Sequence, residues 1–151
     1  MPDWLLRSHR IGGIGSHGEP WNSQWQYKIP LMRANNITIR DMFVTGGDDN
    51  VCIKNDTANV LIENVVFHDG HGASIGSIPD CSGCHGVVTN ITFRNITMGG
   101  DAPMKIKWWA NTTGEISNIL YEDVTLSNAS SAIQMSANYG SWACPCTYSV
   151  A

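Results

Sequence analysis

Apolar and polar residues alternate in four stretches of the chain that share more than their period. NITIRDMFV from Asn36, NVLIENVVF from Asn59, NITFRNITM from Asn90 and NILYEDVTL from Asn118 follow one pattern. Each reads Asn, a branched apolar residue, any residue, an apolar or aromatic residue, a charged residue, then Asp or Asn and a further alternating run. Period-two alternation with β-branching predicts strands. The starts lie 23, 31 and 28 residues apart, which suits a solenoid whose coils each hold a few short strands. A second run recurs in each coil, as VCIK, ASIG, MKIK and AIQM, and places Ile53, Ile75, Ile106 and Ile133 at offsets 17, 16, 16 and 15 from the leading Asn. These isoleucines are predicted to stack coil on coil. The expected fold is all-β, a right-handed parallel β-helix with strands about 4.8 Å apart along the stack. It forms one partial domain over residues 1–151, with clear coils from about 36 to 139. The Asn column either stacks as a ladder or holds a tight turn.

The same repeat places the polar residues. Asp48 lies at offset 12 from Asn36 and His71 at offset 12 from Asn59, so the two are predicted to be neighbours on adjacent coils, with Asp49 beside them. Lys105 and Lys107, at offsets 15 and 17 in the third coil, continue that surface, and alternation puts both on one face with Ile106 turned to the core. Alone, an Asp-Asp after two glycines reads as a turn and Gly-His-Gly as a loop. Equal offsets in a repeat make them a site. A groove with two carboxylates, an imidazole and two ammonium groups suits glycoside hydrolysis, in which one carboxylic acid protonates the leaving oxygen and, in the inverting mode, a carboxylate activates water. Repulsion between Asp48 and Asp49 is expected to keep one proton available. The lysines point to an anionic sugar, a uronic acid, and Trp108 and Trp109 divide between core packing and surface. Lys54, His9, His17, His68 and His85 read as structural or solvent-exposed.

Composition narrows the classes. The chain has 151 residues, 42% hydrophobic and 15% charged, which suits one globular unit with a substantial core. A formal charge of -4 argues against general affinity for nucleic acid or anionic membranes. No apolar run reaches a membrane span, and MPDWLLRSHRIGGIG lacks the apolar core of a signal peptide. Five cysteines include Cys81-Ser-Gly-Cys84 and Cys144-Pro-Cys146, which read as loop staples, with zinc as the alternative and one cysteine left over. Six sequons, at Asn36, Asn55, Asn90, Asn95, Asn111 and Asn128, permit glycosylation in an extracellular setting. Asn36 and Asn90 are discounted as glycan sites because the repeat accounts for them.

In its repeat, and in the order GDDNVCIK, GHGASIGS, MKIK and then Tyr139 in NYG, the chain resembles the polygalacturonase group, glycoside hydrolase family 28. The resemblance is clear from about Asn36 to Tyr139, and GHGASIGS, Gly70 to Ser77, is its most specific part. It implies a truncated pectin-lyase-like solenoid that hydrolyses galacturonan by inversion, without a metal or cofactor, as a secreted monomer. It further implies Asp48 as general acid, Asp49 as water-activating carboxylate, His71 as the residue tuning the pair, and Lys105, Lys107 and Tyr139 as substrate ligands. Lys105 stands where the family has arginine, exchanging a bidentate fork for a point charge. The family's Asn-Thr-Asp motif should fall near Tyr27, where this chain reads QWQYKIP, and the chain stops soon after Tyr139. The expectation is a fragment or incomplete sequence. A pectin-binding β-helix impaired in catalysis is the alternative, and a Ca²⁺-dependent pectate lyase a further one.

Overall fold

The computed structural model describes residues 4–7, 11–12, 29–46, 48–79 and 83–139. Among them are eleven strands and no helix: β1 (Trp4–Arg7), β2 (Ile11–Gly12), β3 (Ile29–Leu31), β4 (Asn35–Thr45), β5 (Val51–Ile53), β6 (Thr57–His68), β7 (Ala73–Ile78), β8 (His85–Gly100), β9 (Met104–Trp109), β10 (Thr113–Ala129) and β11 (Ile133–Tyr139). Every pairing is parallel. The long strands stack in the order β4-β6-β8-β10, with β1 and β2 against β4, and the short ones in the order β3-β5-β7-β9-β11. Each coil gives one long strand to the first sheet and one short strand to the second, which is a right-handed parallel β-helix.

The four Asn-led segments stand in register. Ile37 pairs with Val60, Val60 with Ile91 and Ile91 with Ile119. Each long strand carries a pair of residues in the left-handed region, five positions apart: Asn36 and Asp41, Asn59 and Asn64, Asn90 and Asn95, Asn118 and Asp123, all with φ between 50° and 62°, and β10 adds a third, Asn128, at 53°. Asn and Asp tolerate that conformation better than other side chains. The pivot also resets the alternation, so that Ile39 and Met42, three residues apart, both face inward, as do Ile62 and Val65. The amides make ladders as well: Asn90 donates to Asn59 (2.6 Å) and Asn59 to Asn35 (2.8 Å), while Asn95 donates to Asn64 (2.9 Å) and Asn64 to Asp41 (3.1 Å). Ladder and turn, posed as alternatives from sequence, are both present.

The core fills the space between the sheets. Ile39, Ile62, Phe93 and Tyr121 form one column, and the Phe93 and Tyr121 rings stack 4.6 Å apart at 8°. The Tyr121 hydroxyl crosses the interior to donate to the Ala73 carbonyl (3.2 Å), and burial pushes its pKa up. In the second sheet Ile53, Ile75 and Ile106 stack as expected. The fourth member needs correcting: Met135, not Ile133, pairs with Ile106, and Ile133 lies opposite Met104. The slip is two residues, so the face is preserved. Cys84 is in a disulfide whose partner lies outside the described residues, so its sulfur is not a zinc ligand. Cys81, Cys144 and Cys146 also lie outside them, as do Tyr27, His9 and His17.

Candidate active site

The corner between the sheets sets the site. Thr45 pairs with His68 at a separation of 23 residues, but Val51 pairs with Ala73 at 22, so the first turn is one residue longer than the next. The longer turn accommodates the Asp48-Asp49 doublet. Asn50 fastens the second turn to it: its Oδ1 accepts the Gly72 N–H (2.9 Å) and its Nδ2 donates to the Asp69 carbonyl (3.3 Å). The His71 N–H donates to the Asp48 carbonyl (3.0 Å). Gly70 is required at this closure, since a Cβ there would lie 2.3 Å from the Gly46 carbonyl oxygen and 2.6 Å from that of Asp48.

The predicted neighbours do meet. His71 Nδ1 lies 3.1 Å from Asp48 Oδ1 and 3.9 Å from Asp49 Oδ1. The two aspartates nevertheless have unlike surroundings. The Asp48 side chain is 27% exposed, and its Oδ1 also accepts the Asp49 N–H (2.7 Å). Asp49 is fully buried: Oδ1 accepts the Ser74 hydroxyl (2.6 Å) and Oδ2 the Lys107 ammonium (2.8 Å). Burial draws the Lys107 pKa down, but the hydrogen bond and charge of Asp49 outweigh it and leave the ammonium above its ordinary range. The carboxylate of Asp49 is thus paired with Lys107.

This corrects the expectation of an open lysine surface. Lys105 and Lys107 share a face, as alternation predicted, but both are buried, 6% and 8% exposed. Lys105 Nζ stands 4.0 Å from Oδ2 of the exposed Asp101, whereas Lys107 is spent on Asp49. Gly76, opposite Lys107 in β7, lets the two strands approach closely, since a Cβ there would clash with the Lys107 carbonyl oxygen. Tyr139 lies at the rim, 40% exposed, with its ring centroid 5.7 Å from Lys107 Nζ and 5.1 Å, edge-on, from the Trp109 ring. Trp108 packs on the core while Trp109 reaches the surface, the division expected from sequence. Cys52, behind Asp49, is a buried thiol donating to the Gly76 carbonyl (2.8 Å), its pKa pushed up to about 12 chiefly by burial.

Sequence reading passed over Ser74 and Asn50. Both lie inside the recognised motifs, Asn50 in the turn before β5 and Ser74 in β7, and a polar side chain next to the aspartate pair or amid an apolar strand was the signal available. One atom each from Asp48, Asp49 and His71 fall within 4.8 Å of one another, a spacing that could hold a metal ion, but the ammonium of Lys107 already serves as the cation on Asp49 Oδ2. Calcium would want about six to eight oxygens.

Comparison with known proteins agrees with this architecture. The family model "Glycosyl hydrolases family 28" matches residues 27–150. The exopolygalacturonase rpg15 of Rhizopus delemar is 36% identical over 112 residues, 74% of this chain and 29% of its own. Exopolygalacturonase X-1 of Emericella nidulans is 31% identical and the exopolygalacturonase of Cochliobolus carbonum 30%, each over 122 residues and 72% of this chain. The chain therefore spans less than a third of the length of these relatives, at 27–29%. No solved structure matches. With a parallel solenoid, a GDD turn beside a GHG turn and a family match over most of its length, the chain belongs to glycosyl hydrolase family 28.

Proposed function

We propose that this site hydrolyses the glycosidic bonds of galacturonan, a pectic polysaccharide. The reading rests on one observation: two adjacent carboxylates in opposite environments, one half-open and bonded to an imidazole, the other buried against a lysine. Unlike surroundings are what divides two carboxyl groups between acid and base roles. Asp48 is the general acid, reached from the groove and adjusted by His71. Asp49 is the base that takes a proton from water. Lys105, Lys107 and Tyr139 receive the uronate ring. The reaction proceeds by inversion, with the protein acting outside the cell. The nearest oxygens of the pair are within 4.8 Å, whereas inverting pairs commonly stand about 6.5–9.5 Å apart, so the attacking water enters beside the pair and not between its members.

Release of reducing ends from polygalacturonate tests the reading. Asp48→Asn should lower the rate by about 10²–10⁴-fold, the usual worth of a positioned acid, and EDTA should leave it unchanged. Undiminished activity in Asp48→Asn, or its loss with EDTA, would overturn the assignment. NMR of the first-formed product reports the anomer, and retention would refute inversion. A second reading, binding of pectic chains without turnover, is favoured by the complete burial of Asp49. Saturable binding to polygalacturonate with no reducing ends formed would establish it.

A further inference from the structure

A base must meet the water it activates, yet Asp49 has no exposure, a hydroxyl on one oxygen and an ammonium on the other. The two partners differ in what they can do. Ser74 is fully buried in β7 and has no other place to go. The Lys107 ammonium stands at a boundary, with Asp49 Oδ2 at 2.8 Å on its inner side and the half-exposed Tyr139 ring 5.7 Å away at the rim. A flexible four-carbon stem whose ammonium already lies near the rim ring can cover such a distance without moving backbone.

On this basis we propose that the Lys107–Asp49 ion pair is a lock opened by substrate: the carboxylate of the incoming uronate takes the Lys107 ammonium, and Asp49, released from its counter-ion, becomes the working base. The exchange replaces one ammonium–carboxylate pair with another, so no charge is left unpaired on the lysine. Asp49 retains the Ser74 hydrogen bond, which keeps it aimed. A buried carboxylate that loses its cation becomes a better proton acceptor. The inference rests on the hydrolase reading for its catalytic consequence, but the exchange itself is a binding event. It makes the sugar carboxylate an activator as well as a handle, and a methyl-esterified or neutral residue at that position leaves the base closed.

Two measurements separate the lock from the chemistry. In wild-type protein carrying ¹³C-labelled aspartate, with Asp49→Asn used to assign the signal, saturating galacturonate should shift the Asp49 carboxyl resonance and galactose at the same concentration should not. No shift at saturation, or an equal shift with galactose, overturns the lock whether or not the protein turns over substrate. A galacturonate-specific shift without hydrolysis of any pectic chain keeps the lock and refutes the hydrolase reading. In turnover, esterifying the uronate should lower kcat by about 10²-fold or more, the worth of a general base, and not merely raise KM. In Lys107→Met that kcat ratio should collapse to within about threefold, because the base is no longer tied. An effect of the ester on KM alone, or a ratio unchanged in Lys107→Met, refutes the proposal.

Discussion

Asn59 offers the sharpest test of what holds the coils in register. It sits in the left-handed region at φ 56°, accepts the Asn90 amide at 2.6 Å and donates to Asn35 at 2.8 Å. Alanine keeps a Cβ in a conformation that costs ordinary residues about 1–2 kcal/mol. It also deletes two amide hydrogen bonds, each at the low end of the usual ~0.5–1.5 kcal/mol because water can reach the partners. The expected loss for Asn59→Ala is therefore about 2 kcal/mol. Glycine removes the same bonds but adopts positive φ freely, returning part of that gain as extra entropy in the unfolded chain. Asn59→Gly should cost about 1 kcal/mol, half as much. Urea midpoints followed by far-UV circular dichroism measure both, with the slope m unchanged. If glycine destabilises as much as alanine, the pivot conformation contributes nothing and the ladder carries the whole effect. If alanine costs less than about 0.5 kcal/mol, neither argument stands.

Phe93→Ala, which empties the centre of the core column and unstacks Tyr121, should cost about 3–5 kcal/mol in the same denaturation assay. Ser74→Ala leaves a buried Asp49 oxygen without its donor; a loss of about 1–3 kcal/mol is expected, with kcat falling while KM holds. Stability should fall at alkaline pH. Lys107 and Cys52 both have pKa values raised on folding, so the folded state binds their protons more tightly; that contribution is complete below the unfolded values and disappears as pH climbs through the folded ones. For Cys52 the window runs from the ordinary thiol value of 9.0 to about 12, and urea midpoints at pH 8, 9 and 10 should decline, less steeply in Cys52→Ala. The same burial should make the native thiol react with iodoacetamide far more slowly than the urea-unfolded one.

The stack was legible because a solenoid writes its geometry into the sequence as a period. Ile37, Val60, Ile91 and Ile119 could be aligned from their shared Asn, and Asp48 and His71 followed as neighbours. Ile133 was misplaced because Asn128 is one extra residue, between Ser127 opposite Gly99 and Ala129 opposite Gly100, which puts the partner of Ile106 at offset 17 and not 15, and a period carries no information on such a bulge. The burial of Lys105 and Lys107 was hidden for a different reason. Alternation gives the face on which a side chain lies, but its depth depends on what stands opposite: for Lys107 a buried aspartate two coils back supplies the charge that permits burial, and for Lys105 the nearest carboxylate is Asp101 on its own coil. Ser74 and Asn50 went unseen because their partners are a turn and a carboxylate on other coils, reached only through three-dimensional closure.

The Asp49–Lys107 pair joins residues 58 apart in sequence, with Ser74, 25 residues from Asp49, lying between them in the stack. No single turn can make that contact; three successive coils must be laid down first. Contacts of such long range are slow to form, and the coil that carries Lys107 can open while the aspartate turn below it persists. Refolding should therefore restore strand signal before it buries Asp49 against Lys107, with the lag set by the arrival of the third coil. In this molecule the Asp49–Lys107 contact is a late product of assembly, and its appearance in time is a record of the order in which the coils close.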